Sequence, residues 1–383
     1  MALLGLGILT VAIWVGLWLC RAAFWRVEFD PVPPDPDEWP PVTAVIPART
    51  EEATLPEALR SLWAQDYPGG LRVVVVDDQS EDRTAAAAQE TARALGHADD
   101  LLVLTAAPLP PGWAGKVWAM HSGLTHGLPT ADPARYVLFC DADISHGAGT
   151  LRELIARAEG GHLDLASVMV RLECRTPAEQ FMIPAFVWFF RLLYPFRKVN
   201  DPRDPLAGAA GGTMLLRREV LARIGSLQSI RGAIIDDCAL AAAVKAGGHP
   251  IWLGLSAASR STRGYGSLRE IVDMIARTAY TQLGYSPARL VGCVLGLGLT
   301  FVGPCALAIG VRGASGLLGV AAWALMTLLY APMLCFYGQS LLWAPLLPLT
   351  ACVYLYATLL SAWRHHRGHG GQWKGRQYGD AAS

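Results

Sequence analysis

Between Val42 and Ala158, short apolar runs alternate with segments of helical periodicity. Val42 to Ile46, Leu71 to Val76, Leu101 to Leu104 and Tyr136 to Cys140 have the length and side-chain types of buried strands. They are followed in turn by the helical patterns Leu55 to Gln65, Thr84 to Leu95, Lys116 to Leu124 and Thr150 to Ala158. This alternation predicts βα units on a mostly parallel sheet. Each predicted strand runs into a polar cluster: Pro47-Ala48-Arg49-Thr50-Glu51-Glu52, Asp77-Asp78-Gln79-Ser80, a loop ending Gly112-Trp113-Ala114-Gly115-Lys116, and Asp141-Ala142-Asp143. Successive parallel strands place these clusters along one edge of the sheet, where open α/β sheets bind ligands.

The ends of the chain are patterned differently. Leu3 to Cys20 is unbroken apolar sequence with no Lys or Arg before it and no A-x-A-like cleavage site after it, so a retained anchor is expected. Arg21 and Arg26 follow it and place the next segment on the cytoplasmic side. Phe29 to Pro41 reads as a semi-rigid proline-rich linker. From Leu290, three stretches approach the ~20 residues a membrane span needs: Leu290 to Val311, Leu317 to Tyr337 and Leu341 to Trp363. Three spans after a cytoplasmic domain carry the C-terminus outside, whereas Arg364, Arg367, Lys374 and Arg376 favour the inside. One of the three is therefore expected to be re-entrant or interfacial, with Pro332, Pro345 and Pro348 as points of interruption. Phe181 to Phe196 and Leu268 to Leu283 are too short to span and are expected to lie in the membrane plane, a buried core helix being the alternative for the first. The expected organisation is an anchor at 1–26, a linker at 27–41, a globular domain with interfacial helices at 42–285, a transmembrane region at 286–363 and a basic tail at 364–383.

Composition supports a membrane component. Hydrophobic residues make up 52% of the chain and the mean hydropathy is +0.31, too apolar for an ordinary soluble enzyme. Lys and Arg total 32 and Asp and Glu total 32, and this balance predicts no nucleic-acid partner. The eight cysteines are scattered without a C-x-x-C or zinc-like His spacing, and they read as reduced apolar residues.

The candidate chemistry centres on Asp141 and Asp143, at the end of the Tyr136 to Cys140 strand. Two carboxylates in one place repel each other, and a hard divalent cation held together with substrate phosphates offsets that; a solvated turn or a helix cap is the alternative. No G-x-G-x-x-G follows the first strand, and Gly115-Lys116 lacks the remainder of a P-loop. Nucleotide, if bound, is then held by other groups: Asp78 or Asp77 accepting from a base or ribose, and Lys116 meeting phosphate as a point charge.

The ordered motifs Pro47 to Glu52, Asp77 to Ser80, Asp141 to Asp143, Gly208 to Arg218 and Asp236-Asp237-Cys238-Ala239-Leu240 resemble the family 2 glycosyltransferases over roughly Val42 to Tyr285. The anchor, the segment Gly112 to Met120 and the sequence Trp373 to Arg376 are most similar to the hopanoid-biosynthesis-associated glycosyltransferases. The resemblance implies the GT-A nucleotide-diphospho-sugar transferase fold, an α/β fold with a mostly parallel sheet, carrying N-terminal and C-terminal transmembrane helices. It implies that Pro47, Ala48 and Glu51 line a nucleotide pocket, that Asp78 contacts uracil, and that Asp141 with Asp143 binds the diphosphate through Mg²⁺ or Mn²⁺. Asp237 is implied as general base for an inverting transfer, with Asp236 as its alternative because the family often carries Glu-Asp there; a helix N-cap is the plainer role for this pair. The Q-x-x-R-W motif of processive members is absent, so addition of one sugar is expected, and Arg277 is the nearest candidate for a phosphate clamp. The implied partners are a nucleotide-sugar donor, expected to be UDP-linked, and a lipid acceptor, with the enzyme in the cell inner membrane and its catalytic domain cytoplasmic. Two other readings are a haloacid-dehalogenase-like phosphohydrolase, which expects D-x-D on its first strand, and a catalytically inactive membrane scaffold.

Overall fold

The computed structural model describes residues 1–128 and 133–368, and the backbone of Gln372–Trp373 and Arg376–Gln377. Lys374 and Gly375 of the Trp373 to Arg376 motif, and His369, lie outside the described residues. The chain divides into two units, one of which comprises Phe29–Glu173 and Lys198–Arg263 together with the C-terminal residues from Gln372.

That unit is built on one sheet. Its strands in chain order are β1 (Val42–Ala48), β2 (Leu71–Asp77), β3 (Leu101–Thr105), β4 (Tyr136–Cys140), β5 (Ile144–Ser145), β6 (Leu165–Arg171), β7 (Thr213–Arg217) and β8 (Ile251–Ser261). Their spatial order is β3-β2-β1-β4-β7-β6-β8-β5. All seven residues of β1 and all five of β4 are buried, as expected of parallel strands covered on both faces. β1 pairs in parallel with β2 and β4, and β2 with β3, so the polar ends of β1 to β4 share one edge. The helices Leu55–Trp63, Thr84–Leu95, Gly115–Gly127 and Thr150–Gly160 follow these strands as their periodicity predicts.

Glycines seat one of these helices on the sheet. A Cβ at Gly123 would stand 2.5 Å from Val45 Cγ1, and one at Gly127 would stand 2.6 Å from Val74 Cγ1. Backbone therefore rides directly on valine side chains, and the face of the helix that carries Lys116 is held against β1 and β2.

The remaining strands were not legible from periodicity. β7 lies antiparallel between β4 and β6, and β8 is parallel to β6 and antiparallel to β5, which makes the sheet mixed.

The second unit comprises Met1–Glu28, Cys174–Arg197 and the segment from Gly264. Among the described residues, four helices are long and apolar enough to cross a membrane: Ala2–Cys20, Pro287–Gly310, Ala314–Phe336 and Leu341–His366. The predicted segment 42–285 is thus divided, because 174–197 and 264–285 fold with these apolar helices. The helix Pro177–Leu193 starts with a capping box between Thr176 and Glu179 and is buried along much of its length, as the buried-helix alternative describes. Trp188 is fully buried and its Nε1 donates to the Leu329 carbonyl at 3.0 Å, while Met182, Ile183 and Val187 are buried beside it. The indole of Trp14 similarly donates to Thr300 O at 2.8 Å and meets Phe301 edge-on at 5.4 Å. Pro332 does not interrupt its helix, whereas Pro345 lies in a 3₁₀ turn, Leu341–Leu346, and Pro348 opens the next helix.

Candidate active site

Asp141 and Asp143 emerge where β4 ends, and their turn is fixed from two sides. The Asp141 amide donates to Gly212 O at 3.3 Å, while the Thr262 amide and hydroxyl both donate to Asp143 O, at 2.7 and 3.0 Å. The loops that follow β8 and precede β7 therefore set the position of both carboxylates.

Each carboxylate faces a cation of the same chain. Lys116 Nζ lies 2.8 Å from Asp141 Oδ1, and Arg263 Nε lies 3.1 Å from Asp143 Oδ2. A further nitrogen of Arg263 donates to Glu51, whose carboxylate also accepts from the Thr54 hydroxyl.

Lys116 continues to the helix Asp236–Ala246, with its Nζ 3.2 Å from Asp236 Oδ2. Burial disfavours the ammonium, but attraction to Asp141, Asp236 and Asp237 outweighs it and holds the Lys116 pKa above the ordinary lysine range. Asp236 and Asp237 occupy the first turn of this helix while Ile235 is the N-cap residue, so neither aspartate serves as the cap. Asp237 Oδ2 accepts from the Gly211 amide at 2.8 Å, and Oδ1 accepts from the Cys238 amide at 2.7 Å. Burial, together with the like charge of Asp236, pushes the Asp237 carboxyl up to about 6 against the opposing pull of Lys116. Gly211 packs closely into this fit, since a Cβ there would lie 3.0 Å from Lys116 Nζ and 3.3 Å from Asp237 Oδ2.

The ends of β1 and β2 form the other side of the edge. Pro47 and Ala48 are buried in β1, and Ala48 O accepts from the Asp78 amide at 2.8 Å. Asp78 is fully buried, with Arg49 Nη1 3.8 Å from its carboxylate. Asp77 Oδ1 accepts from the Ser80 amide at 3.0 Å and shapes the turn after β2. Arg277 belongs to the other unit, where it is exposed on the helix Leu268–Gln282.

The structure thus brings Pro47, Ala48, Glu51, Asp78, Lys116, Asp141, Asp143, Asp236 and Asp237 into one unit at one sheet edge. Sequence reasoning gave no role to Arg49 or Gly211 and missed Arg263. The sequence around Arg263 carried no signal beyond an arginine beside a glycine, because the strand before it was not legible.

Among the described residues, no group of three or more His, Cys, Asp or Glu side chains forms a closed metal cluster. Two carboxylates on one turn instead suit a hard cation that takes its other ligands from phosphate and water. The donor set of Asp141 and Asp143 fits Mg²⁺ or Mn²⁺ on that basis.

The fold is GT-A: a mostly parallel, mixed sheet flanked by helices, with D-x-D at the end of its fourth strand. The phosphohydrolase reading needed that motif on the first strand. Residues 43–225 match the sequence model of the family described as Glycosyl transferase family 2. A solved mannosyltransferase from Pyrobaculum calidifontis, PcManGT in complex with GDP-Man and Mn²⁺, superposes with a TM-score of 0.58 at 19% identity, covering 94% of this chain and 99% of that one. An N-acetylglucosaminyltransferase of Mesorhizobium japonicum is 46% identical over 54 residues, 14% of this chain. A 4,4'-diaponeurosporenoate glycosyltransferase of Staphylococcus haemolyticus is 33% identical over 103 residues, 27% of this chain. The matches span 13% and 24% of the lengths of these two relatives.

Proposed function

We propose that the protein is a membrane-associated, metal-dependent, inverting glycosyltransferase that moves one sugar from a nucleoside-diphosphate sugar to a lipid acceptor. The observation that carries this reading is Lys116, which ties Asp141 on the D-x-D turn to Asp236 on the neighbouring acidic helix at 2.8 and 3.2 Å. A diphosphate-binding turn and a carboxylate base are thereby held in one fixed arrangement, as a direct displacement requires.

Asp237 is the better base of the pair. Asp236 is engaged by Lys116, whereas Asp237 is oriented by two backbone amides and has a carboxyl pKa raised towards neutrality. In the reaction Asp237 takes the proton of the acceptor hydroxyl, the acceptor oxygen bonds to the anomeric carbon, and the bond from that carbon to the diphosphate breaks with its electron pair leaving on phosphate. Asp141 and Asp143 would hold a divalent cation, which offsets charge on the departing diphosphate when bound. Lys116 keeps the turn and the base helix in register throughout.

The match to the glycosyltransferase family 2 model and the likeness to a GDP-mannose-bound fold support a nucleotide-sugar donor. The four long apolar helices support a membrane location and an acceptor drawn from the lipid phase. The diaponeurosporenoate relative and the resemblance to hopanoid-associated enzymes favour an apolar polycyclic or polyprenoid lipid. Arg21 and Arg26, after the first apolar helix, favour a cytoplasmic catalytic unit at the inner membrane.

The test is calorimetric titration of UDP and of GDP into detergent-purified protein with and without Mn²⁺, for wild type and Asp143→Ala. Cation-dependent binding that is lost in the variant is the expected result, to be followed by screening sugars against hopanoid and polyprenyl lipids. Failure of both nucleotides to bind would overturn the proposal.

A further inference from the structure

Both carboxylates of the D-x-D turn are neutralised by side chains of the chain itself, and the two cations are held differently. Lys116 rises from the first turn of a helix seated by glycines on the sheet, and its side chain is only 17% exposed. Arg263 follows β8 in a loop next to Gly264, outside any helix or strand, and its side chain is 39% exposed. Its guanidinium spans two acids, with Nε at 3.1 Å from Asp143 Oδ2 and Nη2 on Glu51. The loop carrying it is pinned independently, because Thr262 donates to the Asp143 carbonyl through both its amide and its hydroxyl. The guanidinium can therefore change partners without the loop leaving the turn. A planar fork engaged by two carboxylates also suits the oxygens of a diphosphate.

We infer that Arg263 is the exchangeable counter-ion of this site: it holds Asp143 and Glu51 while the site lacks nucleotide, and turns onto the diphosphate oxygens when a divalent cation takes Asp143. The inference rests on the nucleotide-sugar reading above. A cation arriving alone has to displace a guanidinium that then loses one of its two carboxylate partners. A cation arriving with a nucleoside diphosphate supplies the guanidinium with a new anion. Cation and nucleotide then bind with positive coupling, and Arg263 carries part of it.

The test uses the full chain in detergent and measures Mn²⁺ alone, then UDP and GDP at saturating Mn²⁺, for wild type, Arg263→Gln and Arg263→Lys. Arg263→Gln should bind Mn²⁺ alone roughly three- to tenfold more tightly, because one partly screened positive charge has gone. The same variant should bind the diphosphate about tenfold more weakly. Arg263→Lys keeps the charge but loses the fork, so Mn²⁺ alone should bind as in wild type while the diphosphate binds more weakly. Unchanged or weaker binding of Mn²⁺ alone by Arg263→Gln overturns the exchange even where wild type binds nucleotide normally. If Arg263→Gln does not fold, undiminished diphosphate binding by Arg263→Lys overturns it instead. A wild type that binds neither UDP nor GDP sinks the nucleotide-sugar reading itself, and the exchange falls with it.

Discussion

Lys116 Nζ stands 2.8 Å from Asp141 and 3.2 Å from Asp236, so a single ammonium joins the turn after β4 to the helix that carries the proposed base. Removing it leaves three carboxylates, those of Asp141, Asp236 and Asp237, facing one another in a largely desolvated place. Lys116→Met is expected to cost about 3–5 kcal/mol of stability, the usual penalty for stranding one side of a buried ion pair, and to abolish measurable transfer. Thermal unfolding together with turnover of whichever donor is identified checks both halves.

Asp237→Asn should lower kcat by about 10²- to 10⁴-fold, the range for loss of a positioned general base, while nucleotide binding stays within a few-fold of wild type. Equal losses in Asp236→Asn and Asp237→Asn would contradict the assignment of Asp237 as base.

The raised pKa of Asp237 predicts an acid limb in the rate profile. A base must be deprotonated to act, so kcat/KM should fall tenfold per unit as pH drops below about 6 and level off above it. An acid limb centred near the ordinary aspartate value would show that the burial of Asp237 does not govern the reaction.

Gly211→Ala tests the tightness of the same spot. The added methyl would sit 3.0 Å from Lys116 Nζ and 3.3 Å from Asp237 Oδ2, so one of the two has to move. A stability loss of about 1–3 kcal/mol is expected from overpacking, with a fall in kcat larger than any rise in KM. Unaltered kinetics would mean that Lys116 and Asp237 tolerate displacement.

His146 gives a separate, purely structural prediction. It is buried with Nε2 3.0 Å from Thr213 Oγ1, and burial pushes its pKa down to about 4. The unfolded chain takes up the proton near the ordinary histidine value while the folded chain resists it, so this residue's contribution is intact above about pH 6.5. It is lost at up to about 1.4 kcal/mol per pH unit as pH falls from there towards 4. The difference in melting temperature between wild type and His146→Gln should therefore shrink on acidification, and a constant difference would refute the assignment.

The first four strands were readable because each is an apolar run followed by a helical period, and three of them, β1, β2 and β4, end in charged turns. β7 was not, since Thr213-Met214-Leu215-Leu216-Arg217 is short and rich in residues that serve helices equally well. β8 begins with an apolar run but continues through Ser256-Ala257-Ala258-Ser259, where small residues give no period. At the site, Asp141, Asp143 and the Asp236-Asp237 pair stood out because acids gather at strand and helix ends. Arg263 did not, because its partners Asp143 and Glu51 lie 120 and 212 residues away and only the folded chain joins them. The aromatic helix Pro177–Leu193 shows the limit of composition, because tryptophan and phenylalanine serve a lipid surface and a buried seam alike.

The position of β7 has a consequence for how the polypeptide is made. β1 to β6 precede the helix Pro177–Leu193, which folds with the apolar unit, while β7, the strand that fills the slot between β4 and β6, follows it. During synthesis the β7-facing edge of β4 must therefore stay unpaired, and β5 and β6 must wait for β7 and β8, until the ribosome has passed the helix, and open edges of this kind invite aggregation. Truncation to a water-soluble fragment ending before Cys174 would make that waiting state permanent.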